Sequence, residues 1–249
     1  MRPDVQVVNL PLTNSTWFVD QLVRRDPTFP LSLSAEERHA LDSRPWTDTV
    51  LSIPVTGTAA HLGVGGGAEV PASINLRAAP TVGDGAVLRQ DLILLQILED
   101  NRWRRPLALS LGVARRSYAW LAPFRRVDGA FARVVPIEDP PADVRTLRAN
   151  LLQTYEYRGY ADSTVRLDDV TRLHGQHYYL GFMELARAEY DPGEPERCYA
   201  TWDSMTRLLP PARLQPGLPR DFCGRPRRAA GQGGQGGQGE PENENRTNR

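Results

Sequence analysis

The run QDLILLQILEDN at residues 90–101 is apolar on nearly every side, which decides much of what must surround it. Leucine rather than β-branched residues dominates, so the run predicts a helix buried all round rather than a strand. Pro106 closes the stretch, and LALSLG (107–112) and GAFARVVPI (129–137) read as further strands. Upstream, VQVVNL (5–10) is β-branched and apolar on both faces, the pattern of a strand covered on both sides in a parallel sheet. TNSTWFVDQLVRR then switches to helical period: Phe18 and Leu22 share one face, Val19 and Val23 the next, and Thr13, Asn14 or Ser15 can cap it. In LSAEERHALDS, Ser34 followed three residues later by Glu37 is a capping-box pattern. Residues 56–85, rich in Gly, Ala and Pro, read as a long loop or irregular hairpin with SINL (73–76) as its strand-like piece. Strands flanked by such helices predict an α/β layer over 1–139, with a partly parallel sheet and flanking helices.

From Pro140 the texture turns to helix alone. Val144, Leu147, Leu151 and Leu152 recur at helical spacing, DDVTRLHGQHYYLGFMELARAEY is a long second helix, and EPERCYATWDSMTRLL follows after a turn at 191–193. The last helix carries the stripe Cys198, Trp202, Met205 and Leu209, expected to be core with Trp202 its largest member. Phe182, Leu185, Ala186, Gly193, Cys198, Trp202 and Pro210 sit where a tetratricopeptide-type repeat places its packing residues, turn and end. One such repeat is fewer than the ~3 an independent solenoid needs, so 140–222 reads as a helical array with one tetratricopeptide-like hairpin docked on its neighbours. Residues 223–249 hold GQG units and a polar end with little apolar area to offset ordering entropy, so they read as a disordered tail.

Composition excludes more than it names. The 30 basic and 30 acidic residues cancel, so no whole-molecule field favours nucleic acid or an anionic membrane, and no nucleic-acid partner is expected. All the basic residues are arginine; the absence of lysine removes a P-loop lysine, a pyridoxal Schiff base and a Ser-Lys dyad. Cys198 and Cys223 are too few for a disulfide scaffold or a four-thiolate zinc site, and Cys198, as a packed helical position, is not expected to bridge. The start MRPDVQVVNL lacks the apolar core of a signal peptide, and no run reaches the ~18 apolar residues of a membrane span.

The chemistry-bearing motifs are weak. GVGGGA (63–68) fits GxGxxA, but the phosphate-cradling turn needs a buried strand before and a helix after, which TGTAAHL and EVPAS do not supply. His174 and His177 stand one turn apart, yet two ligands make no metal site, and none is expected. No GxSxG elbow occurs; the arginines of NRWRRP, Arg115 with Arg116, and Arg125 with Arg126 read mainly as solvated faces able to meet phosphate or carboxylate. No catalytic residue and no cofactor is assigned.

Taken in order, RPDVQVVNLPLTNSTWFVDQL, DLILLQILEDNRWRRPLALS, FARVVPI and LRANLLQTYEYRGYAD, with DDVTRL and the closing hairpin, resemble the C-terminal soluble part of a bacterial membrane-protein family, domain of unknown function 2723. That family is related to multi-spanning, lipid-sugar-using protein O-mannosyltransferases. The resemblance covers roughly residues 2–215 and implies a non-catalytic accessory domain outside the cytoplasmic membrane. Its implied partners are the membrane-spanning catalytic region of the same parent protein, an acceptor protein or a lipid-linked sugar. Family members place a strand just before the VQVVNL-like one, so the α/β layer is expected to lack its first strand, with Met1 an internal or misassigned start or the chain a fragment. The other reading is a free-standing interaction module with an α/β scaffold and a helical hairpin end. If the layer binds a ligand, the rim beyond the carboxyl ends of parallel strands is the expected place, with Asn9 and Asn14 after the first strand and Arg115 and Arg116 after LALSLG.

Overall fold

The computed structural model describes residues 5–64, 69–83, 85–113, 115–214 and 223. A short 3₁₀ turn, Pro11–Asn14, leads into α1 (Thr16–Arg25) and α2 (Ala35–Ala40). Then come β1 (Arg44–Pro45), β2 (Thr49–Pro54), α3 (Ala59–Leu62), β3 (Ser73–Ala78), β4 (Ala86–Val87) and the central helix α4 (Arg89–Asn101). β5 (Leu107–Ser110), a 3₁₀ stretch Arg115–Phe124, β6 (Arg125–Val127) and β7 (Phe131–Val134) complete the strand-bearing part. Helices follow: α5 (Val144–Ala149) running into a π turn Asn150–Thr154, α6 (Asp169–Ala188), α7 (Glu196–Leu208) and α8 (Pro211–Leu214).

The architecture is mixed α/β with a helical C-terminal region, but its sheets differ from the expected layer. Every strand pairing among the described residues is antiparallel: β1 with β4, β2 with β3, and the three-stranded order β5-β7-β6. For β6 and β7 the connection decides it: parallel neighbours need a crossover of a dozen or more residues, whereas these two are joined by Asp128, Gly129 and Ala130 alone, with Gly129 at φ +123°. β3 alternates strictly between exposed and buried positions, as a sheet with one wet face requires. The VQVVNL segment joins no sheet. Val5 and Val7 face solvent while Leu10 enters the core, and Pro11 starts the 3₁₀ turn directly after it. β2 pairs with β3 in register from Thr49↔Ala78 to Pro54↔Ser73, so much of the expected loop at 56–85 is the long connection and second strand of a hairpin.

α4 is apolar all round because two cores use it. Ile93 and Ile97 pack with Val19, Leu22, Phe29 and Leu31 of the α1 side. Leu94, Leu95 and Leu98 join Ile53, Leu76, Trp103 and Val134 on the sheet side. Trp103 is fully buried at positive φ, and its indole N–H donates to the Val134 carbonyl at 3.1 Å. A Cβ on Gly57 would stand 2.0 Å from the Trp103 carbonyl oxygen, so the hairpin connection can lie here only with glycine.

The helical region has its own core of Leu147, Leu151, Tyr179, Phe182, Leu185, Met205 and Leu209. α6 and α7 form an antiparallel hairpin: Ala186 meets Cys198, and the Tyr179 hydroxyl donates to the Leu209 carbonyl. In the predicted stripe Cys198, Met205 and Leu209 are buried, but Trp202 is only half-buried and Thr201 takes the inward position beside it. The β6–β7 turn docks onto this region. The Asn150 amide donates to the Asp128 carbonyl at 2.6 Å, and a Cβ on Gly181 would meet the Gly129 carbonyl oxygen at 2.5 Å.

The cysteines also correct the sequence expectation. Cys198 and Cys223 form a disulfide with Cα atoms 5.9 Å apart, and Cys223, assigned above to the tail, is buried beside Ala186. Being packed in a helix did not stop Cys198 from bridging, because the returning chain reaches the same core. The remainder of the predicted tail and the centre of GVGGGA (65–68) lie outside the described residues.

Candidate functional site

A dense polar cluster stands at the head of α4, where Arg89, Gln90 and Asp91 precede the apolar run. The preceding residue, Leu88, offers no capping side chain. Distant residues do the capping instead: Asn14 Oδ1 accepts from the Gln90 N–H at 3.0 Å, and Ser43 Oγ accepts from the Arg89 N–H at 3.1 Å. Asn14 Nδ2 donates to Gln90 Oε1 at 2.9 Å, making the contact reciprocal. The Arg89 guanidinium, buried, donates to the carbonyls of Leu41 (2.9 Å), Thr13 (3.0 Å), Asn14 (2.9 Å) and Arg38 (2.7 Å). Burial lowers its pKa, while Asp42 and Asp20 counter the shift. Asp91, sealed from solvent, accepts from the Thr81 hydroxyl at 2.5 Å and from the Gln90 amide at 3.3 Å, and that amide also donates to Ser117 Oγ at 2.9 Å. A carboxylate in a first helical turn is favoured by the macrodipole. Ser117 faces an amide rather than a base and is 1% exposed, so the arrangement ties segments together and offers no reacting surface.

Among the described residues no strands pair in parallel, so none form a rim at their carboxyl ends, and the four residues expected there have different surroundings. Asn9 Oδ1 accepts from the Leu12 N–H at 3.2 Å and shapes the 3₁₀ turn. Asn14 caps α4. Arg116 is exposed at the start of the 3₁₀ stretch, next to buried Ser117. Arg115 has its backbone in the same stretch. The structure thus brings Asn14 and the Arg116–Ser117 step to one place through Gln90, for a reason other than the one that selected them. Sequence reasoning missed Arg89 and Ser43, whose partners lie far along the chain; the signal available was a polar triplet heading an apolar helix.

Several other arginines are spoken for. Arg105 pairs with Asp26 at 2.8 Å, and Arg126 pairs bidentately with buried Asp128 at 2.7 and 3.0 Å. Arg125 stacks over Tyr118 at 4.3 Å. The His174 and His177 rings are 5.9 Å apart; burial, then the neighbouring His174, lowers the His177 pKa. Among the described residues no group of three or more His, Cys, Asp or Glu converges as a metal site would require.

Two open grooves flank the helical region. One, about 450 Å³, is lined by Val144, Arg148, Glu189, Glu196, Arg197 and Ala200. Within it Glu189 is bound by Arg148 and by the Thr201 hydroxyl at 2.6 Å, an ion pair joining α5, the end of α6 and α7. The other, about 410 Å³, includes Arg166, Arg172 and Arg213 in its lining. There Arg213 donates to the carbonyls of Gly159, Tyr160, Asp162 and Val165, and Arg172 pairs with Asp169 at 2.7 Å. Both sets of charges are largely used in holding the fold.

Among the described residues no helix is long and apolar enough to cross a membrane. No curated protein and no solved structure matches the chain. Residues 68–154, about a third of the chain and spanning α4, β5, β6 and β7, match the family TMEM260-associated domain 2.

Proposed function

We propose that this chain is a non-catalytic accessory domain of a membrane protein resembling the lipid-sugar-dependent protein O-mannosyltransferases, lying outside the cytoplasmic membrane. The observation that carries the reading is the match of residues 68–154 to TMEM260-associated domain 2. The order of segments resembling domain of unknown function 2723 supports it. So does the Cys198–Cys223 disulfide, since such bonds persist in oxidising compartments and are rare where thiols are kept reduced. In this reading the partner is the membrane-spanning catalytic region of the same parent protein, and the domain positions an acceptor protein or lipid-linked sugar. Arg116, exposed beside the head of α4, is the first residue to test as a contact, with Arg115 next to it.

Two measurements test the reading. Translation of the DNA upstream of Met1 is expected to continue in frame into several apolar spans of ~20 residues. Thiol alkylation of intact cells is expected to leave both cysteines unmodified until a reductant is added. A stop codon just before Met1, together with freely alkylated cysteines, refutes the proposal. It would favour the second reading, a free-standing interaction module, for which the groove beside α5 and α7 is the specific observation.

A further inference from the structure

α6 carries apolar side chains on two faces. One face, with Gly175, Tyr179, Phe182, Leu185 and Ala186, is buried against α5, α7 and α8. Roughly opposite, Val170, Leu173 and Leu180 are exposed at 62%, 52% and 47%, with half-buried His177 between them. The spacings are three, four and three residues, so these side chains form one continuous row along the helix, each about a turn from the next. Val170 and His177 are seven apart, as are Leu173 and Leu180, which is the narrow seam of a two-stranded helical pairing. Gly112 lies beside the His177 ring, where a Cβ would stand 2.8 Å from Cε1, so no side chain of that loop obstructs the middle of the row. Exposed large apolar side chains occur elsewhere, but among the described residues no other helix or strand carries more than one of them.

The order of charges along the row points to the partner. Asp169 pairs with Arg172 at 2.7 Å before the midpoint, and Glu184 with Arg187 at 3.3 Å after it. All four are at least partly exposed, whereas Asp168 is used as the helix cap, accepting from the Thr171 N–H at 2.7 Å. Two acids and two bases cancel, so this rim does not select a polyanion. Turned end for end about a two-fold axis near His177, a second copy sets Asp169 opposite Arg187 and Arg172 opposite Glu184, while Leu173 and Leu180 exchange places across the seam. Laid parallel, it would set each charge against its like. The pattern is complementary to itself in the antiparallel sense, as a contact between identical faces requires.

We infer that the outer face of α6 pairs antiparallel with the same face of a second copy of this chain, about a two-fold axis near His177. The inference goes beyond the accessory-domain reading and is tested apart from it, since self-association is measured on the 249-residue chain itself. One helix pair buries less than the ~1,200 Å² at the lower end of stable interfaces, so the dimer is expected to be weak, with a Kd on the order of 10 to 100 µM.

The test is sedimentation equilibrium at concentrations spanning that range. Leu180→Asp, at an exposed position, should weaken association more than about tenfold. Arg172→Glu and Glu184→Arg should each weaken it about fivefold, because each sets like charges together twice in the dimer. An equimolar mixture of those two variants should associate about as tightly as the parent, because both contacts regain opposite signs. Circular dichroism and thermal midpoints are expected to match the parent; where Leu180→Asp lowers the midpoint, the charge variants decide alone. Three results overturn the inference: a monomer at every concentration, self-association that Leu180→Asp leaves unchanged in a folded protein, or a mixture of the charge variants that associates no better than either by itself.

Discussion

Replacing Arg89 by methionine keeps the aliphatic stem and removes the guanidinium that gathers four backbone carbonyls. These come from Thr13 and Asn14 before α1, and from Arg38 and Leu41 at the end of α2, so one side chain fastens the first two helices to the head of α4. The bond to Thr13 is fully buried, and losing it strands an acceptor at about 2 to 3 kcal/mol. The other three are partly buried and water can replace them, at about 0.5 to 1 kcal/mol each. Relief of burying the cation offsets part of this, which brings the expected loss to about 3 to 4 kcal/mol. At about 2 to 4 °C per kcal/mol for a chain of this size, the thermal midpoint should fall by roughly 6 to 16 °C. Arg89→Lys should recover little, because an ammonium offers three donors from one point and cannot span carbonyls spread around a planar fork. Arg207→Lys, on the exposed face of α7, should stay within about 0.5 kcal/mol. Urea midpoints measure the cost, and hydrogen exchange over residues 13–41 reports whether that segment loosens ahead of the rest. A loss under about 1 kcal/mol for Arg89→Met, or uniform exchange, would show that Arg89 fills space without fastening anything.

Further outcomes follow from other contacts. The disulfide closes a loop between residues 25 apart, so Cys223→Ser or reduction should cost about 3 to 4 kcal/mol; an unchanged denaturation midpoint with and without dithiothreitol would refute it. Gly181→Ala puts a methyl 2.5 Å from a fixed backbone carbonyl and should cost about 1 to 3 kcal/mol, mostly by loosening the β6–β7 turn from α6, with protection of the Asp128 and Ala130 amides as the readout. Asp26 has its pKa lowered from 3.8 to about 2 by the Thr28 hydroxyl and then Arg105. Its folded pKa lies below the unfolded one, so its contribution is present above pH 3.8 and vanishes as pH falls towards 2; the gap between parent and Asp26→Asn should close over that window. Met205→Ala, at a fully buried site, should cost about 2 to 5 kcal/mol and exceed Trp202→Ala, which uncovers a half-buried ring; the reverse order in urea midpoints would place Trp202 in the core after all.

Local signals in the sequence were legible and long-range ones were not. The buried helix at 90–101 and the capping box of Ser34 and Glu37 stand as read, because their causes lie within a few residues. β5 and β7 are legible with frayed ends, but not their antiparallel direction, nor β6, which the short turn before β7 pairs with it. VQVVNL has strand composition yet pairs with no strand among the described residues, and composition does not report pairing. The same limit explains the site. Asn14 follows a strand-like run with no parallel sheet among the described residues, and matters because Gln90, 76 positions away, presents an N–H that Leu88 does not cap. Cys198 was judged from its own helix, when the deciding fact was where Cys223 returns.

These long-range ties also bear on the matched segment, residues 68–154. It includes both sides of one clamp, the Asp128 carbonyl and the Asn150 amide that binds it, so the segment carries the sheet together with the helical turn that covers it. The three-stranded sheet is also internal to it, but other contacts reach outside. β3 pairs along its whole length with β2 at Thr49–Pro54, before the match begins. The cap of α4 and the carbonyls that hold Arg89 come from residues 13–41, and the surface that receives Gly129 is Gly181 on α6, after the match ends. A strand without its ladder, a helix head without its cap and a buried cation without its acceptors would each expose groups that are costly to leave unpaired. The folding unit that satisfies them runs at least from Leu10, which enters the sheet core, to Leu209 and the disulfide at Cys223, and the matched family segment is its centre rather than a domain that closes on itself.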